Sequence, residues 1–149
     1  MNDYDTDLLL WSERQAALLR RAGSGERVND QVDWENVAEE IEALGRSDRR
    51  ELHNRVAGIL VHLIKLLTSP ADAPRTGWRE TLLEQRRRVA RLLKDSPSLR
   101  PELPQVIMEE LGDARMQAVI AFQGYSEQPL VDPAELEFTA EQVLGPWLP

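Results

Sequence analysis

The sequence has no cysteine, which excludes disulfides, thiol nucleophiles and thiolate metal sites together. Histidine is nearly as scarce, with only His53 and His62. Metal sites in helical proteins place two ligands on one face through Glu-x-x-His or His-x-x-x-His spacing. His53 has Arg49, Arg50, Val56 and Ala57 as its helical neighbours, and His62 has Gly58, Ile59, Lys65 and Leu66. Neither carries a second ligand, so no metal and no other cofactor is expected. Glycine-rich phosphate loops and dinucleotide patterns are missing, and Ser12, Ser47 and Ser69 have no local base, so no catalytic residue is assigned. Aromatic residues make up 5% of the chain and fall on inward-facing positions, which leaves no stacking platform for bases. A bilayer needs about 18 to 20 consecutive apolar residues, and no stretch here supplies them.

The richest apolar stretch is LHNRVAGILVHLIKLL, from Leu52 to Leu67. At 3.6 residues per turn its Val, Ile and Leu side chains point to most sides of a helix. Only Gly58, His62 and Lys65 interrupt them, on one narrow stripe. A helix apolar nearly all round must be covered on several sides, which makes this stretch the central rod of a bundle. The expected fold is all-α: a single helical domain over residues 1–149, with about five helices plus a short C-terminal helix. A chain of 149 residues buries roughly 68–70% of its unfolded surface, enough for a core without a metal or disulfide.

Taken in order, a first helix is expected from about Asp5 to Ala22, with Tyr4, Leu8, Trp11, Gln15, Leu18 and Ala22 on one face and Gly23 just past its end. Asp33 can cap a second helix whose inner face is Trp34, Val37, Ile41 and Leu44. Gly45 offers a stop and Ser47 a new cap, so a break is favoured there, although apolar steps at 37, 41, 44 and 52 also fit one bent helix. After TSPADAPRTG a fourth helix runs from about Thr76 or Gly77 to Asp95, with Trp78, Leu82, Val89, Leu92 and Leu93 inward. DSPSLRPELP predicts a short 3₁₀ segment, followed by a helix from about Pro104 to Phe122 with Ile107, Leu111, Ala114, Ala118 and Phe122 in register. Thr139 to Gln142 reads as a capping box, and Trp147 is expected to dock on the bundle.

The net charge of -8 argues against general affinity for nucleic acid. Its distribution is uneven. Residues 75–100 carry eight basic and three acidic side chains, against one and nine in residues 102–149. The single basic cluster, Arg86-Arg87-Arg88 with Arg91 and Lys94, points in several directions on a helix and offers few phosphate contacts. Pairing between neighbouring helices explains such segregation as well as any partner does. MNDYDTDLLLWSERQ has neither the basic start nor the long apolar run of a secretory signal, and a cytoplasmic location is expected.

DWENVAEEIEALGRSDRREL, HLIKLL, WRETLLEQRR, SPSLRP, the opening LLLWSERQAALLR and the closing FTAEQVLGPWLP together resemble bacterial domain-of-unknown-function family 29. The resemblance covers almost the whole chain. It departs before Thr139, where Leu136-Glu137-Phe138 stands in place of the family's frequent Cys-Pro pair. It implies an all-helical bundle of bacterial, especially cyanobacterial and proteobacterial, origin and no particular activity. Its polar motif residues fall on Glu39, Glu40, Glu42, Arg46, His62, Lys65, Trp78, Glu84, Gln85 and Arg86.

Among these, Glu40, Arg46, His62, Lys65 and Arg86 are the candidate binding residues. Glu40 flanks the predicted inner face, where a structural role beside an arginine is the alternative. His62 and Lys65 need polar partners, for which Glu40, Glu84 and Gln85 are the candidates, because an unpaired buried charge costs several kcal/mol. A network fixing helix register and a pocket for a small anionic ligand both fit that stripe. With no catalytic constellation, the expected function is protein–protein interaction or self-association. The alternative is a small anionic-ligand-binding protein or enzyme using His62, Lys65 and Arg86.

Overall fold

The computed structural model describes residues 3–149, so Met1 and Asn2 of the acidic N-terminus lie outside it. Its elements are α1 (Asp3–Thr6), α2 (Leu8–Gly23), α3 (Trp34–Thr68), α4 (Arg75–Asp95), a 3₁₀ segment Pro97–Glu102, α5 (Leu103–Gly124), a 3₁₀ turn Pro133–Glu135 and α6 (Ala140–Leu144). Among the described residues there is no strand, and the fold is all-α. No helix among them is long and apolar enough to cross a membrane. The chain gathers into two compact units, Met1–Ser47 and Asp48–Pro149.

In the first unit, the single opening helix expected from Asp5 is divided. Asp7 caps α2 by accepting from Leu10 N at 2.9 Å, which separates it from the single turn of α1. Gly23 lies inside α2 rather than beyond it. The left-handed residue is Gly25, at φ +94, where the absence of a Cβ removes the steric cost. Asp33 organises this unit. Its carboxylate accepts from Trp11 Nε1 at 3.1 Å and from Asn36 Nδ2 at 2.8 Å, and its backbone N–H donates to Gln15 Oε1 at 2.8 Å. Trp11, Val28 and Val32 are the unit's buried apolar side chains. Tyr4 meets Trp11 edge-on at 4.9 Å.

Two expectations are corrected on α3. The helix does not break at Gly45, so two predicted helices are one. A glycine costs about 1 kcal/mol in a helix interior, but Arg46 pairs with Glu39 at 2.6 Å and Glu42 at 3.8 Å, tying the turns on either side together. Of the predicted inner face Trp34, Val37, Ile41 and Leu44, only Val37 is half-buried. Trp34, Ile41 and Leu44 are 52%, 63% and 71% exposed. The half-buried side carries Asn36, Glu40 and Ala43, because the hydrogen bonds of Asp33 and Tyr4 turn that side inward.

The second unit is held by one apolar cluster, in which Leu52, Val56, Ile59, Leu60, Leu63 and Ile64 are fully buried. This is the environment that an all-round apolar rod requires. Leu82, Val89 and Leu93 of α4 and Val106, Ile107, Ala114 and Ala118 of α5 complete the cluster, as their spacing predicts. The 3₁₀ segment carries the chain between α4 and α5, and Leu99 buries into the core. Arg49 forks onto Glu102, and His53 Nδ1 donates to Glu110 Oε1 at 2.8 Å. The capping box at Thr139 and Gln142 is formed, and Val143 and Trp147 pack on the core.

Candidate functional site

The five candidate residues are divided between the two units. Glu40 and Arg46 belong to the first unit, and His62, Lys65 and Arg86 to the second. Glu40 accepts the Tyr4 hydroxyl at 2.7 Å, so its partner is a phenol rather than an arginine. That hydrogen bond, with the Glu40 charge behind it, raises the Tyr4 pKa. Arg46 is exposed and paired with Glu39 and Glu42.

Arg86 is a corrected reading of the basic cluster. It is 7% exposed, with Nε donating to Val143 O at 2.8 Å and Nη2 to Gln142 O at 2.6 Å. Those carbonyls lie in the last turn of α6, where a helix leaves acceptors unpaired and its dipole favours a cation. Arg86 therefore fastens α6 to α4. A signal for this was present, since Leu82, Arg86, Val89 and Leu93 recur at steps of four, three and four and share the core face of α4. Arg87 and Arg88 point outward onto Glu84, each at 2.8 Å, and their hydrogen bonds hold the Glu84 carboxyl down to about 2.

The expected partners of the α3 stripe are also different. Glu84 is taken by those arginines, and Gln85 accepts from Arg55 at 3.2 Å. Gly58 admits Gln85, whose Cγ would lie 3.8 Å from an added Cβ. His62 Nδ1 donates to Gly58 O at 2.7 Å, four residues back on its own helix. Burial pushes the His62 imidazole below its ordinary value, opposed by that hydrogen bond and reinforced by Lys65. The ring is therefore neutral near pH 7, with its Nε2 lone pair free of a proton.

Glu40 borders a shallow apolar cavity with Leu8, Leu9, Trp11 and Ser12, and Lys65 lines a separate one in the second unit. The Lys65 ammonium lies 5.8 Å from the centre of the Trp78 ring, which supplies a cation–π contact in place of the expected carboxylate. The Lys65 cavity has a volume of about 290 Å³, is partly open to solvent, and is also lined by Ser69, Pro74, Phe122, Tyr125, Glu127 and two alanines of α5. Ser69 Oγ donates to Glu127 Oε2 at 3.2 Å. Leu130 N donates to Thr68 O at 2.7 Å and pins the segment after α5 to the end of α3. Sequence reasoning weighed Ser69, which directly follows α3, only as a nucleophile, and missed Tyr125 and Glu127 because they lie in the irregular stretch after α5 whose path that pinning sets. Among the described residues no acidic or histidine cluster could hold a metal ion.

Comparison with known proteins agrees with the fold. The model of the family described as "Domain of unknown function DUF29" matches residues 4–148. A crystal structure of an alpha-helical protein of unknown function from Rhodospirillum rubrum is similar to this chain at 27% identity with a TM-score of 0.63, covering 98% of this chain and 91% of that one. No curated protein matches the chain.

Proposed function

We propose that this chain, which belongs to that family, is a bacterial, cytoplasmic protein-interaction module whose first unit receives a basic amphipathic helix of another protein. The observation that carries the reading is the exposed face of α3. Trp34, Ala38, Ile41 and Leu44 recur at steps of four and three along one side, and all four are exposed. Leu8 and Leu9, 50% and 70% exposed, add to the apolar surface of the same unit. Large apolar side chains gathered in this way mark interaction sites rather than ordinary surface. A helix laid into such a face would contact it at i, i+3 or i+4, and i+7.

Charge selects the occupant. Residues 1–47 carry eleven acidic and five basic side chains, and Glu35, Glu39 and Glu42 border the apolar face. A second copy docking the same face would bring two acidic surfaces together, whereas a helix with lysine or arginine flanks would be attracted. The unit's small core supports the same reading. Three buried apolar side chains and no disulfide are little to hold about 45 residues, a size at which domains usually need added support.

Two synthetic amphipathic helical peptides with leucine cores, one with lysine flanks and one with glutamate flanks, test this by fluorescence anisotropy. The lysine peptide is expected to bind, more weakly as salt rises, and the glutamate peptide not to bind. The neutral pair Ile41→Ser with Leu44→Ser should weaken binding by at least about tenfold while helicity is unchanged. Equal binding by that variant would reduce the effect to bulk charge and sink the proposal. A dimer in sedimentation that the same variant dissociates would assign the face to a second copy instead.

A further inference from the structure

The cavity beside Lys65 has charges that the fold leaves unused. Lys65 and Glu127 both line it, yet among the described residues neither forms an ion pair, with the other or with any third group. Lys65 is half-buried, and the Trp78 ring face gives its ammonium a cation–π contact but no counter-charge. The carboxylate of Glu127 has one oxygen on the Ser69 hydroxyl, which leaves the other free to accept. Glu127 is brought there at a conformational cost. The preceding Ser126 has φ +53, the left-handed region that L-residues other than glycine, asparagine and aspartate seldom occupy. Strain of that kind persists where surrounding contacts hold it in place, here the hydrogen bonds of Glu127 N to Phe122 O at 2.9 Å and of Leu130 N to Thr68 O.

Separate positive and negative groups on an otherwise apolar wall match a ligand that carries both signs itself. We infer that this cavity binds a small zwitterion with an apolar body, an α-amino acid bearing an aromatic or branched side chain. Its carboxylate sits on Lys65 Nζ, its ammonium on Glu127, and its side chain against Trp78 and Phe122. The volume of about 290 Å³ lies at the small end of the roughly 300–1,000 Å³ range of ligand sites and is of a size to take one such residue. Tyr125, 81% exposed, stands at the rim where it can cover the bound side chain. This site is independent of the α3 face and lies wholly within the second unit.

Calorimetric titration of the full chain tests the assignment with phenylalanine and leucine, with 3-phenylpropanoate, which lacks the amine, and with phenethylamine, which lacks the carboxylate. One-site binding of an amino acid is expected, with the matching single-charge analogue weaker by about ten- to a hundredfold. Lys65→Met should reduce phenylalanine to the affinity of phenethylamine, and Glu127→Gln should reduce it to that of phenylpropanoate. Circular dichroism melts confirm that each variant is folded, and the Trp78 indole N–H resonance should shift on binding. No heat from any of the four compounds at 10 mM (roughly ten-thousandfold above a micromolar Kd) overturns the proposal. So does phenylpropanoate binding as tightly as phenylalanine with Glu127→Gln silent, because the site would then recognise an anion alone.

Discussion

The second unit buries Leu, Ile and Val side chains from three long helices in one continuous cluster, and its polar groups fasten the edges of that cluster. The first unit does the reverse. Its centre is an aspartate, Asp33, joined to Trp11, Gln15 and Asn36, while several of its largest apolar side chains face solvent. Both units share the single helix α3, so local helical structure is not what distinguishes them. The difference lies in what each side of the helix meets. Where apolar residues surround the axis, burial is the dominant favourable term. Where hydrogen bonds select the inward side, the apolar side is left available. Stability is thus concentrated in the second unit, and unused apolar surface in the first.

The strongest way to sharpen that contrast is to cut into the apolar cluster. Leu63→Ala should cost about 2–5 kcal/mol in denaturant unfolding, through lost burial and the cavity left behind, whereas Leu44→Ala should stay within about 0.5 kcal/mol. Comparable losses at both positions would erase the distinction between the units. Next comes Arg86→Ala, which leaves the Val143 and Gln142 carbonyls without their donor. A loss of about 1–3 kcal/mol is expected, with cleavage near α6 appearing first in limited proteolysis. Trp11→Phe keeps most of the ring packing and removes the indole donor to Asp33, for about 1 kcal/mol. Hydrogen exchange should report it as faster opening confined to residues 3–47, and protection lost equally in the apolar cluster would contradict a separately held first unit.

The smallest effect is a slope rather than a step. The folded-state pKa of His62 is lowered below 6.5, so the unfolded chain binds more protons as the pH falls through that value. The stability contributed by the neutral ring is present above pH 6.5 and declines as pH drops toward the folded-state pKa. His62→Gln should flatten the stability profile in that window, measured as the denaturation midpoint against pH. An unchanged slope would mean that the imidazole is solvated in the native state. Glu84 shows the opposite sign, since its depressed pKa gives stability lost only as pH falls below about 4.5. Because that carboxylate lies at the surface with its arginines in solvent, its salt-screened contribution should barely register.

Reading residues in order recovered the helices wherever one physical cause acted alone. The prolines after Thr68 and Ser96, the capping box at Thr139 and the apolar registers of α4 and α5 each produced the element they predict. It failed where two causes competed. Gly45 weakens a helix locally, but the Arg46 ion pairs and the uninterrupted backbone ladder outweigh it. Trp34, Ile41 and Leu44 form an apolar stripe of the kind that normally faces a core, yet the hydrogen-bonding set of Tyr4, Trp11, Asn36 and Glu40 claimed the opposite side. His62 and Lys65 were recognisable as a polar stripe, but their partners, a backbone carbonyl and an indole face, carry no charge pattern that a sequence displays.

By itself, then, the amino-acid order determined that this protein is helical, that Leu52 to Leu67 is its most buried rod, and that it has no thiol chemistry. Those properties depend on composition and on a period of 3.6 residues, both written along the chain. The tertiary structure decided that Arg86 is an anchor rather than part of a surface patch, that the apolar face of the first unit looks outward, and that Glu127 and Lys65 share one cavity. These depend on which side of a helix a distant residue occupies. That choice is made by hydrogen bonds and packing between segments far apart in sequence, such as Leu130 on Thr68 and Arg86 on Val143.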